Sequence, residues 1–246
     1  MIVRVAVVPH PPILVPEVAA GAAGETSPLR TACLDAARAL AQRCARWVAV
    51  AAVDPAAATG AVGSFAGYGA DVRVALDPEV PQTGPVELPL PLLVAGWLRD
   101  QVGAANITVA VSPVSPGSST AQCRRMGTEL ARRLRGEGGP VGMLVLGDGA
   151  ATHTLRAPGY LDCRAQRLDA TVAAALAAAD PQALLELDAT LAGELWVAGR
   201  EAWQVAAAAA QALAPAWRGA LLYSAAPYGV AYHVALWDAV GSDAAS

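Results

Sequence analysis

Four polar residues stand at or near the ends of apolar runs in this chain. They are His10 after "VRVAVVP", Asp54 after "WVAVAAV", Ser112 within "NITVAVSPVSP" and His153 shortly after "PVGMLVLGDG". Imidazole and carboxylate groups are the side chains that bind metal ions and move protons near neutral pH. The chain has only 3 histidines, and two of them occupy such positions. Pro11 and Pro12 follow His10 directly and fix the backbone after it. That holds the imidazole on a stiff support, as a metal ligand or an acid–base group needs. Gly147 and Gly149 allow a tight turn that presents His153.

Each residue also has a plainer reading. A strand-end histidine is often a hydrogen-bonded structural residue. Asp54-Pro55 and Ser112-Pro113 are ordinary turn openers. Asp148 reads as a cap for the segment after it. His233 lies inside an alternating strand pattern and reads as structural or exposed. Glu194 is different. On a continuous helix it shares a face with Leu191, Ala198, Glu201 and Val205, with Trp196 and Trp203 on the other side. A carboxylate on such a face either finds a partner or sits on its polar edge.

The elements that position these residues alternate strand with helix. Val3–Val8 and "WVAVAAVD" are buried strands, and "DVRVALD" is a short one. "NITVAVSPVSP" is a further strand ending near Ser112, and "PVGMLVLG" is another. Helices are expected over Thr31–Arg46, over "LLVAGWLRDQVG" and over Thr120–Arg135. The last has a stripe of Cys123, Met126, Leu130 and Leu134. Asp180-Pro181 is a helix start, with Asp at the cap and Pro at the first position. A single helix is expected over much of Leu191–Leu213. "GALLYSAAPYGVAYHVALW" closes the chain as a hairpin or two adjacent strands. The pattern implies one three-layer α/β/α domain over 1–240 with a mixed, mainly parallel central sheet, and a frayed tail over 241–246. In an open α/β sheet the C-terminal strand ends line the ligand crevice. His10, Asp54 and His153 should therefore meet at one edge.

Composition excludes several classes. The net charge is −4 with no basic block, which argues against nucleic-acid binding. No alanine-rich stretch makes a membrane span, and no signal peptide is evident. The 4 cysteines are scattered without a CxxC pair, so reduced thiols in a cytoplasmic protein are expected. "GAVGSFAGYG" lacks the strand–GxGxxG–helix context of a nucleotide site. The oligomeric state, a homo-oligomer included, stays open.

Three stretches resemble a known family. "VAVVPHPPILVPEV" looks like the opening motif of the class III extradiol ring-cleavage dioxygenase B-subunit superfamily, which includes the protocatechuate 4,5-dioxygenase beta subunit and the Memo proteins. "LVLGDGAATHTLRAPGY…CRAQRLDATVAAAL" resembles its later block, in which a strand and turn present a histidine and a helix carries an aspartate. "APYGVAYHVALW" resembles the closing strands of an actinobacterial branch. The resemblance implies Fe(II) held by two histidines and a glutamate, a further acid–base histidine, and a small aromatic substrate. Carried over, His10 is the first metal ligand and His153 the acid–base group. Glu194 is the candidate glutamate, with Glu201 as its alternative. The second ligand histidine is missing, and Asp54 is the only ligand-capable side chain in reach. A site of one histidine and two carboxylates would suit Mn(II), Mg(II) or Zn(II) as readily as Fe(II). The readings are then a metal-dependent oxidoreductase on a small aromatic ring, a non-catalytic member binding a small ligand or protein partner, or a metal-dependent hydrolase.

Overall fold

The structure is a computed structural model that describes residues 1–81, 87–103, 106–213 and 216–240. The expected tail over 241–246, and part of the proline-rich connection before Pro91, lie outside the described residues.

The strands are β1 (Ile2–Val8), β2 (Arg46–Ala52), β3 (Val62–Ser64), β4 (Arg73–Ala75), β5 (Thr108–Val114), β6 (Val141–Leu146), β7 (Trp217–Ala225) and β8 (Tyr232–Ala239). The helices are α1 (Pro16–Ala19), α2 (Ser27–Arg43), α3 (Leu90–Gln101), α4 (Thr120–Gly136), α5 (Ala165–Ala178), α6 (Pro181–Leu185), α7 (Ala189–Glu194) and α8 (Arg200–Leu213). Six strands form one sheet in the order β5-β2-β6-β1-β8-β7. β5, β2, β6 and β1 are mutually parallel, and β8 and β7 add an antiparallel hairpin beside β1. The mixed, mainly parallel sheet with helices on both faces is the architecture the alternating pattern implied.

Burial on both faces explains the composition of the inner strands. Every residue of β6 is buried, and its "VGMLVL" run carries no polar side chain. One face packs on α2 and α3 through Leu29, Cys33, Leu40, Leu92 and Leu98. The other packs on α4, α5 and α8 through Leu130, Leu134, Val172, Trp203 and Val205. On α4 the expected stripe is present, with Cys123, Leu130 and Leu134 buried and Met126 at its margin. Ser119 and Gln122 close a capping box at its start.

Three expectations need correction. α2 begins at Ser27, four positions earlier than the apolar spacing suggested, because Pro28 suits a first helical turn. β5 runs past Ser112 to Val114. Pro113 is tolerated there because β5 is an edge strand, where a lost N–H breaks no inner ladder. The single helix over Leu191–Leu213 is two helices. The chain breaks after Glu194, and Trp196 takes a left-handed φ of 56°. Between the two helices the chain passes the sheet edge, where Gly199 packs so tightly on Gly147 that a Cβ on Gly147 would sit 2.4 Å from the Gly199 Cα.

Candidate functional site

β1 and β6 pair in register as far as Val8 and Leu146. His10 and Asp148 therefore emerge side by side at the same sheet edge, each two residues further on. The backbone N–H of His10 donates to Asp148 Oδ1 at 2.8 Å. Pro11 keeps extended dihedrals and Pro12 opens a short 3-10 turn to Leu14, so the chain turns away immediately after the histidine. The His10 Nδ1 lies 3.6 Å from the same carboxylate oxygen and is buried without a hydrogen-bond partner. Among the described residues its other ring nitrogen has no hydrogen-bond partner. Tyr232 and Cys33 are buried within reach of the Asp148 charge. Burial, with Asp148 adding to it, pushes the ionisation of both well above the ordinary range.

Beyond Asp148 the segment lies along the start of β8. Gly149 donates to Ala231 O at 2.8 Å, and His153 N–H donates to Gly229 O at 3.1 Å. Gly149 is required: a Cβ there would stand 2.3 Å from Asp169 Oδ1. Asp169 is buried on the inner face of α5 and accepts from two histidines. His153 Nε2 is 2.6 Å from its Oδ2, and His233 Nε2 is 3.1 Å from its Oδ1. Ala150 N–H adds contacts of 3.3 Å to both oxygens. Ser224 Oγ lies 3.0 Å from His233 Nδ1. With Asp169 ionised, both histidines place Nε2–H on the carboxylate. The His153 Nδ1 is then a lone pair with no partner among the described residues, on a side chain 16% exposed. A carboxylate that fixes the tautomer and leaves the far nitrogen open is the arrangement of a general base.

The other expected site residues lie elsewhere. Asp54 is exposed, and its carboxylate accepts from Ala56 N–H at 2.9 Å, which is turn duty. Glu194 ends α7 with its side chain 49% exposed and bonds Arg164 Nη1 at 2.6 Å. The broken helix explains this, because Glu194 no longer shares a face with Glu201. Glu201 is buried and already engaged: Oε1 accepts from Arg200 and from Gly117 N–H, both at 2.8 Å. Ser112 sits in an open groove between β5 and α4, beside Met126 and Arg125.

The residues do not fit the three-ligand iron arrangement that the resemblance implied. His10 supplies an unpartnered imidazole, yet Asp54 and Glu194 are engaged at the surface. Among the described residues no group of three His, Cys, Asp or Glu side chains could hold a metal ion.

Reasoning from residue types took Asp148 for a cap, read His233 as structural or exposed, and left Asp169 unnumbered inside the helical block; His233 is structural, while Asp148 bonds the His10 backbone. Two signals were present. Asp169 lies on the same face as Ala165, Leu168, Val172 and Leu176, all buried. His233 alternates in phase with Ala235 and Trp237 on the buried side of β8.

No family model matches the chain, and no curated protein matches it. Among solved structures it is similar to the crystal structure of uncharacterized protein JW3007 from Escherichia coli K12. The match has a TM-score of 0.53 and 15% identity, and covers 96% of this chain and 99% of that one. At that identity the likeness is one of fold.

Proposed function

We propose that the chain is an extradiol-dioxygenase-like protein whose crevice takes a small aromatic ligand, with His153 as the group that moves a proton to or from it. One observation supports this above the rest: His153 is held by Asp169 at 2.6 Å while its Nδ1 stays open. The opening motif and the histidine block that resemble the family are the two segments that meet at this edge. Exposed Trp196 and Tyr160 flank the loop that carries His153, and they offer an aromatic ring flat apolar surface.

In this reading His153 removes a phenolic proton at Nδ1, and Asp169 stabilises the imidazolium that forms. His233 and Ala150 N–H hold Asp169 in place. This reading takes no step through iron, because the residues matched to the family's ligands are dispersed.

The test has two arms. Catechol and protocatechuate should shift the ring signals of His153 in a histidine-labelled NMR spectrum, and His153→Gln should weaken their binding. After anaerobic Fe(II) loading, adding oxygen and a catechol panel should give little or no yellow ring-opened product. Rapid yellow product from the unaltered protein would overturn the dispersed-ligand reading. Unmoved His153 signals would overturn the binding site.

A further inference from the structure

We propose that β7 is a dimer contact: two copies of this chain pair their β7 strands antiparallel about a two-fold axis and so join their sheets edge to edge. The two edges of the sheet are finished differently. At β5 the Val109 N–H already donates to Leu76 O at 2.8 Å, and Pro113 has no N–H to offer. Both devices blunt an edge against pairing with another chain. β7 has neither. It is the longest strand of the sheet, at 9 residues, and it pairs only with β8. Among the described residues its outward backbone groups have no backbone partner.

The side chains of β7 do not protect it either. Its sequence, "WRGALLYSA", contains one charge and no proline. Leu221 and Leu222 stand 36% and 41% exposed in its middle, although α5 covers the strand nearby, where Gly219 lies against the Ala177 backbone. The bulge between Leu221 and Tyr223 adds twist at one point but removes no donor. A long apolar strand with an open row of donors and acceptors is a template for a further strand.

The charges name the occupant. Arg218 lies near the start of β7 and has no partner among the described residues. Asp238, opposite it on β8, is taken by Arg4 Nε at 2.6 Å. Beyond the far end of the strand, Tyr228 is 50% exposed and donates its hydroxyl to the exposed Glu25 at 2.6 Å. The edge therefore runs from a cation to an anion with apolar residues between. Antiparallel self-pairing brings the Arg218 end of each copy to the Tyr228–Glu25 end of the other, and it gathers the leucines of both copies around the axis. Parallel pairing would set like charge against like. An apolar centre within a polar rim is the anatomy of a protein interface. A patch that complements itself about a two-fold axis is the commonest way in which identical chains associate.

The test is sedimentation equilibrium of the full-length protein. We expect a monomer–dimer equilibrium without larger species. Leu222→Lys places a charge beside its own copy across the axis and should raise the dimer dissociation constant about 100-fold or more. Arg218→Glu and Glu25→Arg should each raise it about tenfold. The two together should restore it, because both contacts then carry the reversed pair. Circular dichroism and the urea midpoint check that each variant folds, and rescue by the double variant cannot come from misfolding. A monomer throughout the concentration range would leave β7 to a foreign strand and overturn the second copy as occupant. A dimer indifferent to Leu222→Lys would place the contact elsewhere and overturn the proposal. Charge variants that weaken the dimer singly and are not rescued together would overturn the antiparallel geometry. Growth into open assemblies would overturn the closed two-fold contact.

Discussion

Two buried polar networks lie at the same edge of the sheet, and they are finished differently. At the β5 end, Arg200 and Glu201 on the first turn of α8 hold the loop before α4, with Gln204 one turn on. Arg200 bonds Ser118 O at 2.7 Å, Glu201 Oε1 at 2.8 Å and Gln204 Oε1 at 2.8 Å. Glu201 takes Gly117 N–H, and Gln204 reaches Leu187 O at 3.2 Å. Both charges are matched within the protein. At the β6–β1–β8 end, His233 is fully engaged, but His10 and His153 each keep an open ring nitrogen. A network whose opposite charges are matched inside the protein holds the chain together. One with open donors or acceptors can also meet a ligand. Glu201, an alternative metal ligand on sequence grounds, belongs to the first kind.

The largest effect should come from opening the closed network. Glu201→Ala leaves the guanidinium of Arg200 buried beside an empty space. Removing one partner of a buried ion pair costs about 3–5 kcal/mol. Urea denaturation should show a loss of that order. A loss below about 1 kcal/mol would mean that Arg200 finds water or another partner, and the contrast between the networks would weaken.

Next comes the carboxylate shared by two histidines. Asp169→Ala removes the acceptor of His153 and of His233 together. Each buried donor left unpaired costs about 1–3 kcal/mol. His233 should suffer more, because it is more deeply buried than His153. Urea midpoints for Asp169→Ala and His233→Ala, and their double variant, would separate the two contributions. Strict additivity would argue that the histidines do not share one carboxylate.

How much of this was legible beforehand follows from which forces are local. Alternating apolar runs gave the layers and the mainly parallel sheet, because burial on both faces leaves a continuous apolar string such as "VGMLVL". His10 and His153 were legible as strand-end residues, and both leave the same edge. The carboxylates were harder. Glu194 seemed to face inward only on an unbroken helix. That break is followed by Gly199 meeting Gly147, a contact 52 positions apart along the chain that no local periodicity carries. Asp148 was read as a cap because its real partner, the His10 backbone, lies 138 positions away. His233 pairs with an aspartate 64 positions earlier, on a helix.

The thiols sharpen the comparison in a milder way. Cys33, Cys44 and Cys123 are buried, while Cys163 is exposed on the loop that leads from His153 to α5. Burial pushes the Cys44 thiol up to about 11 from its ordinary 9.0. Since the folded state favours the neutral form, that contribution is complete below pH 9.0 and is lost as the pH rises through about 11. A thiol reagent at pH 8 should modify Cys163 quickly and the other three only on unfolding. Fast reaction of Cys33 would show that the core under α2 opens in the native state.

The smallest effect should be that of Glu194→Gln, and it bears most directly on the iron question. The Glu194 side chain is half exposed, and its partner Arg164 has a second carboxylate in reach. Asp162 takes Arg164 Nη2 at 2.6 Å and Nε at 3.0 Å. That guanidinium holds Asp162 down to about 2. The Asp162–Arg164 contact is therefore complete above the ordinary 3.8 and fades only as the pH falls through about 2. Losing Glu194 leaves the stronger half of the cluster intact. Exposed ion pairs are worth about 0–1 kcal/mol, so urea unfolding at pH 7 should barely move. Its effect on metal binding should be equally slight. Isotherms for Fe(II) and Zn(II) should overlay those of the unaltered protein, because Glu194 ends a short helix and faces solvent. A ligand carboxylate behaves otherwise, since deleting it strips the metal of a charged donor. If Glu194→Gln lowered metal affinity tenfold or more, Glu194 would return as a ligand, and the helix break at Trp196 would have to close when metal binds.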